Sequence, residues 1–531
     1  MTDSVPPQPP AQAPAALRES LQQTLANPDD YRAWHALRDA YYAAEAANFR
    51  AEVVASLLAS VPDHGLAAFL RATFLSAATG ERHWSTLAGQ IALTLEPANA
   101  DRLMAFCVVE WGHTVMHGLD RSAFIAALHA CSIPPLMAQM GRMLSALAPP
   151  LPARAIPWLR RVAVLCPYLG GESHPPSSMA LHQVTLLQNM GLQVRLFSCQ
   201  ETRVTQAEQY FGSKATLLTP PATPERLQQL ASMGVDVQLA DDRLPLMARW
   251  QSMLADIAAY DPDLILFVGL NSPLLTPLHA TRPVLGLSVH ATPPMAAVDI
   301  WLTSNPALGQ CHSAPWAPDF PPALGHYHPF RVKLKPATQA RTREEFGLQP
   351  GQIALISAGF RLESEINGEW AARMLALLQH NPQVVWMLVG GNGGLPAALA
   401  TAPRQQLRLI GHQADLRSLM RCADVYVNPA RIGGGFSVAE AMAEGLPTLA
   451  LADSDGGDKL GPFAAENMDG YFAQLDALLA DGNLRAQRGS LLQQRFQQVL
   501  DIERSAPSLL AACELTRQRF VARSKSLAAG T

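Results

Sequence analysis

Three consecutive glycines stand between a predicted strand and a predicted helix in the last quarter of the chain. The apolar run 425–427 predicts a buried strand, and a helical pattern opens near Ser437, after Gly433, Gly434 and Gly435. Glycine lets backbone N–H groups approach a ligand closely, and a helix N-terminus carries about half a positive charge. The loop therefore predicts a phosphate site, although turns also use glycine for unrelated reasons.

Two charged residues beside this loop could contact different parts of such a ligand. Arg431 precedes the glycines and would add a fork of hydrogen-bond donors to a phosphate. Glu440 follows them in the first turn of the predicted helix, where its carboxylate would repel a phosphate. A pair of sugar hydroxyls, as in ribose recognition, suits that carboxylate better. The segment thus predicts a ligand that carries both phosphate and sugar hydroxyls.

The sequence around the glycine loop resembles a known family. Three stretches carry the resemblance: GHQADL (411–416), RCADVYVNP (421–429) and GGGFSVAEAMAEGLP (433–447). They are similar to the nucleotide-sugar-binding half of GT-B glycosyltransferases, close to the large retaining family that includes sucrose and glycogen synthases. The resemblance covers about residues 160 to 500 and is most specific between 407 and 450.

The resemblance implies a role for each part of this segment. Glu440 would hold the ribose of a nucleotide-sugar donor. The glycine loop 433–435 and Ser437 would face its diphosphate, and Gly411 and His412 would lie beside its base. GT-B enzymes carry the diphosphate with arginines and helix ends, so no metal or other cofactor is expected.

A second segment, AGFRL around Arg361, looks like the Gly-Arg-Leu turn of the same family, whose arginine reaches the diphosphate. Arg361 is therefore predicted to bind the donor. The alternative is a surface salt bridge with Glu363 or Glu365. The lysine that the family places five residues after this arginine is replaced by Ile366.

The glycine loop also departs from the family pattern, because the first acid of the E-x7-E pair is absent. Counting back from Glu440 puts Ile432 at that place, and anchoring on Gly435 puts Gly434 there. Arg431 is the candidate that would supply the positive charge of the missing lysine. Without the first acid, retaining and inverting stereochemistry both stay open.

The first half of the chain supplies candidates for catalysis. The segment RPVLGLSVH ends at His290 and resembles the strand of the family whose final histidine touches the donor sugar. His290 is predicted to act as a hydrogen-bond donor or as a base, with a structural histidine as the alternative. The loop GGESH follows the first predicted strand on the acceptor side. In an inverting enzyme, Glu172 or His174 of that loop would serve as the base.

Two series of strands and helices must position these candidates. The predicted strands are 162–165, 194–197, 264–268, 284–287 and 300–302, then 353–357, 384–389, 407–410, 425–427 and 448–451. Such βαβ units form parallel sheets covered by helices, and ligands bind where the carboxyl ends of the strands meet. The predicted fold is α/β, with two doubly wound Rossmann-like domains: 153–335 on the acceptor side and 336–490 on the donor side.

An all-α region precedes these domains. Between residues 16 and 148, Ala, Leu and Arg recur at helical spacing. Four prolines follow one another at 34, 35 and 37 residues: Pro28, Pro62, Pro97 and Pro134. Trp34, Leu37 and Tyr41 match the W-x2-L-x3-Y signature of the tetratricopeptide repeat, whose period is 34 residues. We predict a tetratricopeptide-like solenoid that binds a protein partner; the alternatives are an irregular bundle or a domain that only supports dimerisation.

The remaining segments and the composition narrow the class of protein. Residues 1–15 are predicted to be a disordered tail, 149–152 a proline-rich linker and 491–531 C-terminal helices. A net charge of −4 gives no reason to expect nucleic acid binding. The N-terminus lacks a basic start and an apolar core, and the chain has no run of about 18 apolar residues. We therefore expect a cytoplasmic protein without a transmembrane segment.

No residue spacing is typical of a metal site or of a disulfide framework. The seven cysteines are scattered, which predicts reduced, buried thiols. Asp453, Asp455 and Asp458 form an acidic group in a glycine-rich loop and are predicted to be solvated turn residues. No metal is expected.

Together, these patterns predict transfer of a hexosyl or N-acetylhexosaminyl group from a nucleotide-sugar to an acceptor. Helical repeats ahead of a GT-B pair resemble the architecture of protein O-GlcNAc transferases and of bacterial flagellin or adhesin glycosyltransferases, which implies a protein acceptor bound through the helical domain. One alternative acceptor is a polysaccharide or lipid-linked glycan, with the helices serving only homo-oligomer assembly. Alternatives of another class are a nucleotide-sugar epimerase and a non-catalytic scaffold with degenerate GT-B domains.

Overall fold

The computed structural model describes residues 13–44, 47–116, 120–147, 151–171, 174–202, 222–330, 333–391 and 394–529. Most of the predicted disordered tail lies outside these ranges, as do part of the proline-rich linker and Glu172.

The described part of the N-terminal region contains helices and no strand. Its helices are α1 (Ala13–Ala26), α2 (Tyr31–Ala43), α3 (Ala47–Ser60), α4 (Gly65–Thr79), α5 (Arg82–Ala92), α6 (Ala100–Met116), α7 (Arg121–Ala130) and α8 (Ile133–Leu147). Three of the four regularly spaced prolines, Pro28, Pro62 and Pro97, precede α2, α4 and α6, and Pro134 is the second residue of α8. The first three prolines lie ahead of their helices, and Pro134 is tolerated inside α8 because the first N–H groups of a helix have no intrahelical partner. The proline spacing therefore marks a repeating helix pair.

The tetratricopeptide-like signature residues fill the space between helices. Trp34, Leu37 and Tyr41 lie on the buried face of α2. The rings of Trp34 and Tyr41 both pack on Phe74 of α4, at centroid distances of 5.9 and 5.3 Å. The Trp34 indole N–H also donates to the Pro28 carbonyl at 2.8 Å. The three signature residues thus pack between helices, as their spacing predicts.

The first α/β domain is built on an eight-stranded sheet in the order β3-β2-β1-β4-β5-β6-β8-β7. Its strands are β1 (Arg161–Cys166), β2 (Gln193–Ser198), β3 (Asp236–Leu239), β4 (Leu264–Val268), β5 (Val284–Leu287), β6 (Ile300–Thr303), β7 (His312–Ser313) and β8 (Ala323–Tyr327). Its helices are α9 (Pro175–Asn189), α10 (Pro224–Ser232), α11 (Leu246–Tyr260) and α12 (Leu275–Thr281). All pairs are parallel except β7 with β8.

The second α/β domain has a five-stranded parallel sheet in the order β11-β10-β9-β12-β13. Its strands are β9 (Ile353–Ala358), β10 (Val384–Val389), β11 (Leu407–Ile410), β12 (Val425–Val427) and β13 (Thr448–Leu449). The helices that follow are α13 (Leu362–Glu365), α14 (Gly368–His380), α15 (Leu416–Met420), α16 (Gly435–Ala443), α17 (Asp455–Leu460), α18 (Met468–Ala480), α19 (Gly482–Arg495) and α20 (Ala506–Ala529). The predicted fold class, two doubly wound domains behind an all-α region, is confirmed.

The helical domain and the first α/β domain share one hydrophobic core. Buried residues of α8, such as Leu136 and Met140, belong to the same cluster as Leu275 of α12 and Trp250 of α11. The backbones of α8 and α12 approach so closely that a Cβ at Gly141 would lie 2.2 Å from Thr276 Oγ1. The helical domain is therefore packed directly against the α/β body.

The C-terminal helix α20 returns to the first α/β domain. Its residues Leu509, Ala512 and Cys513 are buried in the core under that sheet. Arg523 pairs with Asp299 at 2.7 Å. The end of the chain thus ties the second α/β domain to the first.

Two further predictions concern the whole chain. The seven cysteines are free, and all except the exposed Cys311 are buried, as predicted. Within the described ranges no single helix is long and apolar enough to cross a membrane, although α7 and α8 together, bent by 61°, reach that length and composition.

Candidate active site

In the second sheet the order in which the chain adds strands reverses between β9 and β12, and the loops after these two strands are neighbours there. In doubly wound sheets a ligand crevice forms at such a point, because the following helices leave on opposite faces. The loop after β9 carries Arg361, and the loop after β12 carries the glycines. A Cβ at Gly433 would lie 3.7 Å from Arg361 Nη2, so these two predicted site elements are brought together.

Arg431 does not reach this crevice. Its guanidinium is buried and donates to Glu365 Oε2 at 2.5 Å, to the Ala358 carbonyl at 2.9 Å and to Asn428 Oδ1 at 2.8 and 3.0 Å. These bonds use all three nitrogens. The prediction that Arg431 binds the donor phosphate, or supplies the missing charge, is therefore wrong, because this arginine holds the loops after β9 and β12 to each other.

Ser437 also has a structural role. Helix α16 begins at Gly435, two residues earlier than predicted, so Ser437 lies inside it. The Ser437 hydroxyl is buried, accepts a hydrogen bond from Tyr426 at 2.8 Å and faces the Gly434 carbonyl at 3.2 Å. The expectation that Ser437 faces the diphosphate is corrected on this ground.

The glycines themselves are required by the close packing of the loop. Gly434 has a φ of +92°, which an L side chain rarely adopts. A Cβ on Gly434 would lie 2.3 Å from Asn428 Oδ1, and one on Gly435 would lie 2.0 Å from Asp455 Oδ2. Gly433 and Gly434 are half-buried, so the start of α16 stays within reach of a ligand.

Arg361 is the arginine that stays accessible. Its side chain is 35% exposed and pairs with Glu365 Oε1 at 2.9 Å, one of the two salt-bridge partners that the sequence suggests. Glu365 lies between Arg361 and Arg431. Burial alone would raise the pKa of this carboxyl, but the two arginines outweigh it and hold the pKa below its usual value. Sequence reasoning missed this organising role, and the only signal for it was the spacing of four residues from Arg361.

Glu440 lies in the second turn of α16 and is half-buried. One turn later, Glu444 is bound by Arg417 at 2.5 Å and Arg421 at 2.6 Å. No described side chain donates a hydrogen bond to Glu440. Burial raises the pKa of the Glu440 carboxyl to about 7, against the opposing effect of Arg417. A carboxyl of this kind remains available to accept hydroxyl groups of a ligand.

An exposed aromatic pair lies at the carboxyl ends of β9 and β11. His412 is exposed next to Gly411 and stacks on Phe360, with ring centroids 5.3 Å apart and planes at 19°. Phe360 is 58% exposed and borders a shallow surface pocket that Leu409 also lines. Aromatic faces of this kind are suited to stacking on a planar ring. Gly411 and His412 are among the residues predicted from the sequence, whereas Phe360, which immediately precedes Arg361, is not.

His290 lies at the opposite side of the cleft, three residues after β5. Its Nε2 is 3.1 Å from the Trp111 indole nitrogen, and its ring is 5.2 Å from that of Phe124, centroid to centroid. Both aromatic residues belong to the helical domain. Burial lowers the pKa of His290 to about 4, with Arg361 acting in the same direction and Asp455 against it. His290 is therefore neutral near pH 7 and lies within electrostatic range of the second domain.

His174 caps the start of α9, in the loop after β1. Its Nδ1 is 2.6 Å from Ser177 Oγ, which accepts the Gly170 backbone N–H at 2.8 Å. Burial lowers the pKa of His174 to about 4, so this ring is also neutral near pH 7. Because β1 and β5 both pair with β4, His174 and His290 follow strands two apart at the same edge of the sheet.

The acidic group after β13 is not a set of solvated turn residues. Asp458 is buried, and its two oxygens accept hydrogen bonds from Arg121 of α7 at 3.0 and 3.1 Å. Asp453 pairs with the same arginine at 3.3 Å, and Ser304 of the first domain lies 3.3 Å from Asp458 Oδ2. Only Asp453 is exposed, so the prediction was wrong for Asp458. The helical domain, through Arg121, and the first α/β domain, through Ser304, thus meet at one carboxylate of the second domain.

Replacing Arg121 tests this three-way junction. We expect Arg121→Gln to destabilise the protein by about 2 kcal/mol, because it removes charged hydrogen bonds from a buried carboxylate. Thermal unfolding would measure the loss, and hydrogen exchange should increase in α7 and α17. Arg243→Gln is the matched control, since the Arg243–Asp241 pair is exposed and its loss should leave the melting temperature unchanged. Equal behaviour of the two variants would contradict a structural junction.

The domain that carries Arg361, the glycine loop and Glu440 matches a known family. Residues 353–481 match the model described as glycosyl transferases group 1. The second α/β domain is a group 1 glycosyltransferase domain. No curated protein matches the chain in sequence. With two doubly wound domains, the second of which matches this model, the chain has the architecture of a GT-B glycosyltransferase.

Solved structures extend the likeness beyond this domain. A mutant of the O-GlcNAc transferase from Thermobaculum terrenum is similar in fold over 96% of this chain and 95% of that chain, with 16% identity and a TM-score of 0.53. WaaG, a glycosyltransferase involved in lipopolysaccharide biosynthesis, is matched over 67% of this chain and 99% of that one, with 14% identity and a TM-score of 0.40. The first likeness includes the helical region, so the predicted architecture of tetratricopeptide-like helices ahead of a GT-B pair is confirmed.

The described ranges contain no grouping of three or more His, Cys, Asp or Glu side chains that could hold a metal. The expectation that no metal is needed stays a prediction.

Proposed function

We propose that this glycosyltransferase transfers a hexosyl or N-acetylhexosaminyl group from a nucleotide-sugar donor to a protein acceptor. One observation carries the proposal. Arg361 and the glycine loop of the second domain face His290 of the first across one cleft, and α6 and α7 of the helical domain border that cleft through Trp111, Phe124 and Arg121. The proposed donor site and the helical domain proposed to bind the acceptor thus border the same cleft.

Each part of the donor has a suitable partner on the second domain. The diphosphate would lie between Arg361 and the free N–H groups at the start of α16, where the helix dipole favours negative charge. The Glu440 carboxyl would accept the ribose hydroxyls. The base would stack on Phe360 beside His412.

The first domain would hold the transferred sugar and the acceptor. The Trp111 N–H can only donate, so Nε2 of His290 accepts it and the proton of the neutral ring lies on Nδ1. His290 therefore acts as a hydrogen-bond donor to the sugar or to the departing phosphate rather than as a base. His174, neutral and beside Ser177, is the better candidate for a base.

The acceptor is proposed from the position of the helical domain. A flagellin- or adhesin-like protein that lies along the repeats would reach the cleft at α6 and α7, where the domain touches both α/β halves. The name of the similar Thermobaculum terrenum protein supports an N-acetylglucosaminyl group as the first donor to try.

The direct test is to incubate the purified full-length protein with a panel of UDP-, GDP-, ADP- and dTDP-sugars, with and without cell lysate. Transfer of radiolabelled sugar to protein bands in lysate supports the proposal. If label is found only in lipid or polysaccharide, the acceptor is one of these and not a protein. Isomerised donor without acceptor would indicate an epimerase. Absence of donor binding would indicate a scaffold.

Glu440→Gln provides a site-specific prediction. The amide keeps the shape of the side chain but accepts hydroxyl hydrogen bonds less strongly than a carboxylate. We expect about a tenfold to hundredfold loss of donor affinity by titration calorimetry, since hydrogen bonds to charged groups contribute about 1.5–3 kcal/mol. Glu369→Gln, an exposed change in the same domain, is the control and should bind the donor like the native protein. Unchanged affinity of Glu440→Gln would remove the ribose role.

The same variant has a predicted pH signature. The pKa of Glu440 is about 7 in the folded protein and near 4.5 when unfolded, so the folded state binds the extra proton between these values. Native stability should therefore fall as pH rises from about 4.5 to about 7. Glu440→Gln lacks this loss, so its melting temperature should be the higher of the two at pH 8 and equal at pH 4. Lower stability at pH 8 would contradict the raised pKa.

A further inference from the structure

A contact between residues 179 positions apart joins the helical domain to the predicted catalytic histidine. Trp111 lies on α6, and its indole nitrogen is 3.1 Å from Nε2 of His290. An indole N–H donates and never accepts. Nε2 must therefore carry the lone pair, and in the neutral ring the proton must be on Nδ1.

The surroundings of His290 keep the ring in this orientation. Trp111 stands edge-on to it, with centroids 5.6 Å apart and planes at 70°, and Phe124 of α7 covers it at 5.2 Å. The shared core holds both helices against the first α/β domain, and Arg121 joins α7 to Asp458 of the second. No described side chain bonds to Nδ1, so this N–H is left available to a ligand.

We propose that Trp111 is a positioning residue that fixes His290 in the Nδ1–H tautomer, so that the helical domain determines which imidazole nitrogen donates into the cleft. The helical domain then completes the active site in addition to any role in acceptor binding. That this matters for turnover rests on the proposed function, whereas the tautomer itself does not.

The alternatives to this tautomer are restricted by charge. Protonation of Nε2 would direct two N–H groups at each other, and the charged groups that act on the ring are Arg361 and Asp455 of the second domain. Arg361 opposes a second proton and Asp455 favours it. Without the Trp111 N–H, no described group holds the proton on Nδ1, and the Nε2–H form becomes accessible.

The first experiment needs no donor. Nitrogen-15 histidine labelling of the full-length protein, with His290 assigned by its loss in His290→Asn, reports which ring nitrogen is protonated at pH 7. We expect the Nδ1–H form in the native protein and a mixture with Nε2–H in Trp111→Phe, which keeps an aromatic ring but no N–H. Trp84→Phe, in the same helical domain away from the cleft, should match the native spectrum. An Nε2–H ring in the native protein, or an unchanged tautomer in Trp111→Phe, would overturn the proposal.

The second experiment connects the tautomer to catalysis. With the donor identified from the nucleotide-sugar panel, Trp111→Phe should lower kcat roughly tenfold, which corresponds to the loss of about one hydrogen bond. The KM for the donor should change little. In the His290→Asn background the same change should have no further effect, because Trp111 acts through the imidazole. An equal loss in both backgrounds would show a merely structural role. If no nucleotide-sugar is turned over, the proposed function fails while the spectra still decide the tautomer.

Discussion

Arg431→Met is expected to lower the stability of the second α/β domain by about 3–5 kcal/mol, the usual loss when one partner of a buried ion pair is removed. Methionine fills a similar volume but leaves Glu365 with Arg361 alone. It also leaves Asn428 Oδ1 without its arginine donor and removes the shortest hydrogen bond to the Ala358 carbonyl. Thermal unfolding and hydrogen exchange in β9 and β12 would measure the effect, since Arg431 joins the loops after these strands.

Arg361→Met is the matched control for this prediction. Arg361 pairs with the same carboxylate, but its side chain is 35% exposed and Glu365 keeps Arg431 when it is removed. We expect a stability change below about 1 kcal/mol, together with a loss of donor affinity. The two variants should thus separate stability from binding. If Arg431→Met folds normally and binds donor poorly, the assignment of the two arginines is reversed.

His290→Ala is expected to reduce turnover about 10²-fold to 10³-fold, the range found when one preorganised donor to a developing charge is removed. The reason is the loss of the Nδ1–H group that is proposed to donate to the sugar or to the departing phosphate. His290→Asn should retain more activity than His290→Ala, because its amide N–H lies near the position of Nδ1 while it cannot act as a base. Initial rates with the donor identified from the nucleotide-sugar panel would measure both.

The pH profile gives an independent check on His290. Its pKa is about 4, so the ring stays neutral between pH 5 and 8, and protonation at Nε2 would leave the Nδ1–H in place. The native enzyme and His290→Asn should therefore show the same dependence of kcat on pH over that range. Two results together would indicate that His290 is a base. His290→Asn and His290→Ala would be equally inactive, and kcat of the native enzyme would fall towards acid pH.

Much of the fold could be predicted because it depends on local patterns. The buried strands of both sheets are continuous apolar runs such as Val384–Val389, and these coincide with the predictions to within a few residues. Three strands were missed for a physical reason. Asp236–Leu239 is a partly exposed edge strand with polar residues, His312–Ser313 has only two residues, and Ala323–Tyr327 contains glycine and histidine, so none has the apolar run that marks a buried strand.

The sequence by itself determined the order of the domains, the pair of doubly wound domains and the place of the glycine loop, because helical periodicity, apolar runs and glycine spacing are properties of neighbouring residues. Only the tertiary structure decided which charged side chains are free. Arg431 forms its ion pair with Glu365, which is 66 residues away in the sequence. Asp458 accepts hydrogen bonds from Arg121, 337 residues away, and His290 accepts one from Trp111, 179 residues away. Burial and hydrogen-bond partners arise from such long-range packing. For this reason Arg431 links two loops, whereas Arg361 stays accessible to a ligand.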